Sequence, residues 1–495
     1  MLSQNERQDL TRATIRGTVW SYAAKYSGKF LVFISTLILA RLLSQEDFGV
    51  AGYALTVISF IEVMNGLGIV PALIFYDLVE ERTDTAFWLG LLVGIGLGVL
   101  TWMIGPLAGD FFRDERAVGV TRLLALTFPI QGAGLVQDAL LRKDLKFGRR
   151  FVPEMGRSIA KGGVSIVLAF MGFSYWSLLW GQLAGFVVNT ILMWWAVPWR
   201  PSLRFVTRYV RPMLSYGTHM VVVNILGILL LNTDYLLVGR FLGAAALGIY
   251  TLAFRVPDLL INQFCVTIAQ VVFPAYAKMK DDIEGLRHSS LQTMRYVALA
   301  TVPMGLGMAI LARPFVLVAF GWKWEEAIPI VPWIVAYTVL RSFGFNLGDV
   351  FKAQGRPEIL TWLSVVQVIL MTPAIYWAVT VPQTLVAVGW VVTAISFIGM
   401  VLNFAIAARM LQTPLTHMFR ALQPALISGV VMGTAVALTY TLVLNLAPIW
   451  QLVIVVPVGM LVYTAALWFT ERDLLHQIWR TLSKSLGRKP LATNP

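Results

Sequence analysis

Apolar stretches of about twenty residues recur along this 495-residue chain, parted by short polar turns. Fourteen stand out, opening with 17–43 and 48–76 and closing with 421–445 and 449–470. At 1.5 Å per residue, each is long enough as a helix to cross the ~30 Å of a bilayer interior. The fifth, 151–171, is the least apolar, rich in glycine and charge. No connection has the length of a soluble domain; only the loop near 198–212 and the tail after Thr470 have any size. The pattern predicts an all-α, polytopic membrane protein with about 14 transmembrane helices.

Charge sharpens this picture. Phe30 to Ala40 is an uncharged, largely apolar run, with Lys25 and Lys29 before it and Arg41 after it. Both lysines then fall within the span, one turn apart on one face. Charges at that depth face a bundle interior or a wet cavity, unless long stems carry them out to the interface. With the N-terminus in the cytoplasm, the inner loops and termini hold twenty-five of the 39 cations, the outer connections six, and the spans eight. That asymmetry predicts both termini inside. The polar start followed by a full-length apolar span predicts a retained first helix, not a cleaved signal peptide.

The chain also resembles itself. Arg41 to Gly49 closes the first span and opens the second; Arg240 to Gly248 does so for the seventh and eighth, with arginine and glycine eight apart in each. Phe111 to Ala117 precedes the fourth span as Phe320 to Ala327 precedes the tenth, and both spans end in a basic turn, Gly148-Arg149 and Gly355-Arg356. The expectation is a parallel duplication: a six-helix lobe over 1–205, a second over 206–412, two appended helices over 413–470 and a basic cytoplasmic tail over 471–495. An even number of spans per lobe keeps the two repeats in the same orientation, related by an axis along the membrane normal.

Composition and motifs narrow the chemistry. The chain is 58% hydrophobic and 13% charged, with a mean hydropathy of +0.73. Its net charge of +13 lies between apolar spans, not on a soluble basic face, so nucleic acid is not the expected partner. A single cysteine, Cys265, excludes an intrachain disulfide framework. No GxxxxGK[ST], HExxH or GxSxG motif occurs, and the four histidines are scattered. Neither a cofactor nor a metal is expected, and transport outranks catalysis.

Several residues carry a resemblance. They are Gly17-Thr-Val-Trp20, Leu39-Ala-Arg-Leu-Leu43 with Glu46-Asp-Phe-Gly49, Gly66-Leu-Gly68 with Ala72-Leu-Ile74, Phe87-Trp88, Pro106-Leu-Ala108, Phe111-Phe-Arg113, Arg142 with Leu145 and Phe147, and Trp199-Arg-Pro201. Over 1–205 above all, the chain resembles the polysaccharide flippases of the multidrug/oligosaccharidyl-lipid/polysaccharide exporter superfamily, in the branch that includes the colanic acid exporter. The resemblance implies transfer of polyprenyl-pyrophosphate-linked oligosaccharide from the inner to the outer leaflet of the cytoplasmic membrane. Two lobes would open alternately to each side, driven by a cation gradient or the membrane potential. It also implies lipids and polysaccharide assembly proteins as partners.

Such a headgroup calls for cations within the central cavity. Glu154, Arg157 and Lys161 share one face of the fifth span. Arg255 and Arg341 add cations from the second half, and Asn224 keeps the position matching Lys25 polar. The expected substrate-binding set is Lys25, Lys29, Arg157, Lys161, Arg255 and Arg341; Glu62, Glu154 and Asp234 are candidates for ion coupling. The competing expectation is that pairs such as Glu154–Arg157 and Arg255–Asp258 are ion pairs pinning helices. Asp138–Arg142 and Asp349–Lys352 read as ion pairs at helix ends. A cation-coupled multidrug exporter of the same superfamily would favour an acidic or aromatic cavity. A membrane polymerase or ligase would need a large external loop, and none is present.

Overall fold

The computed structural model describes residues 27–65, 69–75, 79–143 and 147–471. Helices account for the order of elements among these residues, and no strand occurs among them. A helix over 27–42, α1, leads into α2 (Gln45–Glu62), α3 (Ile69–Phe75), α4 (Glu80–Phe112), α5 (Arg116–Ala125), α6 (Thr127–Lys143), α7 (Phe147–Phe170) and α8 (Trp176–Ala196). After a short turn come α9 (Val210–Pro257), α10 (Gln263–Lys278), α11 (Ile283–Ile310), α12 (Ala312–Ala319), α13 (Val331–Phe345) and α14 (Leu347–Ala353). The last four are α15 (Glu358–Thr380), α16 (Leu385–Met410), α17 (Leu415–Leu442) and α18 (Pro448–Thr470).

Nine stretches among the described residues are both long and apolar enough to cross a membrane. One of them, Gly227–Lys278, runs 52 residues and takes in the region of two spans expected separately. Helices such as α2, with its acidic first turn, and α7, with its charges, fall below that standard of apolarity. In the most apolar windows of α15 and α18 only 17% of residues are buried, which leaves those helices mostly to lipid.

Local chemistry sets the element ends. Ser44 and Asp47 form a reciprocal capping box at the start of α2, with the Ser44 N–H donating to Asp47 Oδ2 at 2.9 Å and the Asp47 N–H to Ser44 Oγ at 3.1 Å. α7 ends at Gly172, whose φ of 84° suits a residue without a Cβ. Within α9, Gly243 at φ 83° and ψ −176° breaks the helical path, and five residues, Asp258–Asn262, form a π turn just after Pro257.

The helices form two compact units, one running to Arg255 and including Ser364–Val388, the other made of Val256–Leu363 and the chain from Gly389. The first unit has an apolar core around Ile69, Leu73, Phe87, Leu135 and Val136. The second is built around Met294, Phe343, Phe351, Phe404 and Leu422. Within that second unit, polar contacts tie α18 to α11: the buried Tyr463 hydroxyl donates to the Leu299 carbonyl at 2.7 Å, and Arg295 pairs with Glu471, just past the end of α18.

Candidate functional site

The first unit contains a cavity of about 60 Å³ whose walls come from α1, α2, α7, α8 and α9. Glycines bring these walls together. A Cβ on Gly185 of α8 would lie 3.0 Å from the Arg157 carbonyl and 3.1 Å from Lys161 Cβ, so α8 presses directly on the stretch of α7 that carries both cations. A Cβ on Gly162 would overlap Ser35 Oγ, which sets α1 equally close on the other side. Squeezed between close-packed helices, the Lys161 side chain lines the cavity, and Arg255 lines it from α9.

No carboxylate is among the lining residues. Among the described residues, Lys161 and Arg255 make no ion pair, although Lys161 lies within electrostatic reach of both Arg255 and Arg157. Three polar atoms of the lining are buried without a hydrogen-bond partner among the described residues: Gln182 Oε1, Thr251 Oγ1 and Arg255 Nε. Buried polar atoms are nearly always satisfied. Two cations with the orphaned donors Thr251 Oγ1 and Arg255 Nε around one hollow make a site suited to an anion with several acceptor oxygens; Gln182 Oε1 is an acceptor and adds nothing to anion binding.

Among the described residues, the remaining candidates do not line it. Arg157 rests its guanidinium over the Phe186 ring at 4.1 Å, with Glu62 and Glu154 in electrostatic range. Glu62 is exposed at the end of α2. Glu154 bonds to Arg150 at 3.1 Å, and Arg150 also holds Asp138 at 3.0 Å, so the ion pair expected between Glu154 and Arg157 is replaced by one nearer the start of α7. Lys29 is half-buried where α1 begins, beside Gly28, whose Cβ would lie 2.9 Å from Ser158 Oγ of α7. Lys25 and the side chain of Asn224 lie outside the described residues. Asp234 is buried on α9, where its Oδ2 accepts the Tyr250 hydroxyl at 2.7 Å and its Oδ1 the Tyr235 N–H at 3.0 Å. Arg341 belongs to the second unit and donates to the Tyr337 hydroxyl at 2.8 Å.

The ion pairs expected at helix ends are present, Arg142–Asp138 at 2.7 Å and Lys352–Asp349 at 3.1 Å. No group of three or more His, Cys, Asp or Glu able to hold a metal occurs among the described residues. Sequence reasoning missed Gln182, Thr251, Ser165 and Ser35. Two were within reach: Ser165 stands one turn beyond Lys161 on α7, and Thr251 one turn before Arg255 on α9, so extending each charged face by four residues finds them.

Fold and cavity together define a polytopic helical membrane protein with a cationic hollow inside its first unit. The chain belongs to the polysaccharide biosynthesis protein family, whose profile matches residues 38–329. It is 28% identical over 376 residues to the lipopolysaccharide biosynthesis protein WzxC of Escherichia coli (strain K12), covering 74% of this chain and 75% of that one. It is 25% identical to the succinoglycan biosynthesis transport protein ExoT of Rhizobium meliloti (strain 1021), covering 97% of each. Among solved structures, the lipid II flippase MurJ in its inward closed conformation shares the fold, with a TM-score of 0.76 at 13% identity over 92% of this chain and 100% of that one.

Proposed function

We propose that this protein is a flippase, moving polyprenyl-pyrophosphate-linked oligosaccharide units across the cytoplasmic membrane for polysaccharide export. The observation that carries this reading is the cavity with Lys161 and Arg255 in its wall and no carboxylate lining it. Cations left unneutralised in a low-dielectric interior are costly unless an anion completes them. A pyrophosphate supplies that charge and the acceptor oxygens that Arg255 Nε and Thr251 Oγ1 lack. Family membership, a relative named as a transport protein and a fold shared with a lipid II flippase all support a lipid-linked cargo.

In this reading Lys25, Lys29, Arg157 and Arg341 join Lys161 and Arg255 in guiding the headgroup, as two parallel six-helix lobes open alternately to each leaflet. At about 60 Å³ the cavity is far smaller than a sugar–diphosphate, so it grips phosphoryl oxygens while the sugars occupy wider space. Glu62, Glu154 and Asp234 are the carboxylates available for coupling to a cation gradient. The positive-inside pattern sets both termini in the cytoplasm. The protein makes and breaks no bond in its cargo; enzymes of polysaccharide assembly act before and after it.

The test is deletion of the gene followed by lipid extraction and leaflet-selective labelling. Polyprenyl-linked repeat units trapped on the cytoplasmic leaflet, released on complementation, are the expected result. Normal export in the deletion strain refutes the reading.

A further inference from the structure

The two Arg-to-Gly motifs of the sequence meet each other in the first unit. A Cβ on Gly49 of α2 would overlap the carbonyl oxygen of Ala244, and a Cβ on Gly248 of α9 would overlap that of Gln45. Gln45 and Ala244 hold the same place in the two motifs, four residues before the glycine. The contact is therefore reciprocal: each glycine receives the other motif's carbonyl, as at a local two-fold axis. Neighbours extend it. A Cβ on Gly52 would lie 3.1 Å from Leu247 Cδ2, and one on Gly239 would lie 2.9 Å from Phe112 Cε1. Arg240 Nη1 donates to the Asp110 carbonyl at 2.8 Å and to that of Phe111, closing the end of α4.

All of these contacts lie where α1 passes into α2 and α4 into α5, the end that the charge pattern turns away from the cytoplasm. Gly243 sits inside the contact, at φ 83° and ψ −176°, a backbone state open to glycine alone. It interrupts α9 there, so the segment carrying Ala244 and Gly248 is a separate lever.

We propose that this glycine crossing of α2 and α9 is the outer gate of the transporter, closed in this structure by backbone contact and parted when cargo leaves. The inference rests on the flippase reading. Backbone-to-backbone contact falls away steeply with distance, and it leaves no interlocked side chain to obstruct separation. A Cβ at either glycine holds the helices apart, so alanine there weakens the closed state in particular.

The test uses Cys265→Ala protein carrying Gln45→Cys and Ala244→Cys, joined by a short bis-methanethiosulfonate, each cysteine displacing a sulfinate to form a reducible disulfide. Export of repeat units in the deletion strain is measured before cross-linking, after it and after reduction. Cross-linking is expected to stop export and reduction to restore it. Gly49→Ala and Gly248→Ala, each added to the pair, are expected to slow cross-linking about tenfold at unchanged membrane abundance. Gly96→Ala, whose Cβ would meet nothing within 4 Å, leaves it unchanged. Export through fully cross-linked protein overturns the gate, as does cross-linking indifferent to both alanines; the cross-linking arm needs no glycine variant to fold. Absence of trapped lipid-linked units in the deletion strain fails the flippase reading instead, so the two failures are told apart.

Discussion

Replacing Lys161 with methionine should move transport and stability in opposite directions. The unbranched stem still fills the space between α7 and α8, so the change removes charge with little change in packing. With no ion-pair partner among the described residues, the ammonium is free to give an incoming anion a charge-assisted hydrogen bond. Such a bond contributes ~1.5–3 kcal/mol. At 1.4 kcal/mol per factor of ten, affinity for the headgroup falls roughly 10- to 150-fold. The same substitution relieves a half-buried cation that sits near Arg157 and Arg255, so the empty protein gains about 1 kcal/mol of stability. Export in a complemented deletion strain at matched protein levels reads the first effect; thermal unfolding of detergent-solubilised protein reads the second. Arg255→Met should behave alike, and the double variant should lose less than the sum, because both groups hold one anion. Normal export by both single variants refutes the site. A lowered melting temperature refutes the electrostatic argument, since it marks Lys161 as part of a stabilising pair.

Three further outcomes follow from other parts of the molecule. At the turns before α2 and α5, burial raises the Asp47 carboxyl but hydrogen bonds from Ser174 and Ser44 outweigh it, and Arg116 does the same for Asp114; both are held below the ordinary carboxylate value of 3.8. A group whose folded value is depressed gives stability that is complete above its unfolded value and lost as pH falls through the folded one. Melting temperature should therefore drop as pH is taken below about 4, and Asp47→Asn should start lower and flatten that dependence. Tyr250→Phe withdraws a donor from buried Asp234 and should cost ~1–3 kcal/mol, read as an earlier thermal transition; an unchanged transition would mean that the 2.7 Å contact is of no consequence. Glu62→Gln and Glu154→Gln sort the coupling carboxylates: the one that drives transport should flatten the pH profile of export when neutralised, whereas the Glu154–Arg150 pair, if only structural, should leave it unmoved.

Periodicity made the spans legible because a lipid-facing helix must be apolar along its whole length, and α15 to α18 follow that rule closely. The repeat motifs were legible too, since a glycine at a helix crossing is fixed by sterics. What stayed hidden depends on partners distant in sequence. Arg157, one turn from Glu154, gave a sound local reason to expect their pairing, yet Arg150 takes that carboxylate and Phe186 takes the guanidinium face. Trp324 is fully buried within the turn Trp322–Ala327, beside the exposed Trp322, and nothing in their spacing tells the two apart. The break at Gly243 carries no local signal beyond glycine itself, one of 40 in the chain. Gln182 is an ordinary polar residue in an apolar helix until the cavity brings it into one wall with Lys161 and Arg255.

This division explains why the fold can be read from the chain more easily than its cargo. Gly49, Glu46 and Asp47, which carry the resemblance, also do mechanical work: Gly49 admits the Ala244 carbonyl, Glu46 pairs with Arg116 at 2.6 Å, and Asp47 caps α2 while receiving the Ser174 hydroxyl. None of the three lines the cavity. On the proposed reading, recognition of the phosphoryl group falls to the cavity wall, where Lys161 and Arg255 answer charge alone and Gln182, Thr251, Ser35 and Ser165 offer hydrogen bonds of interchangeable kinds. A cation pair selects for a phosphoryl group, which every polyprenyl-linked precursor has. Discrimination among repeat units then falls to the wider space that holds the sugars, while one added or lost hydrogen bond in the cavity wall shifts affinity by ~0.5–1.5 kcal/mol whichever sugar is attached. Thr251→Val should accordingly slow export of different oligosaccharides by the same factor, and export assays with two different repeat units in the same strain background would show the ratio between them unchanged.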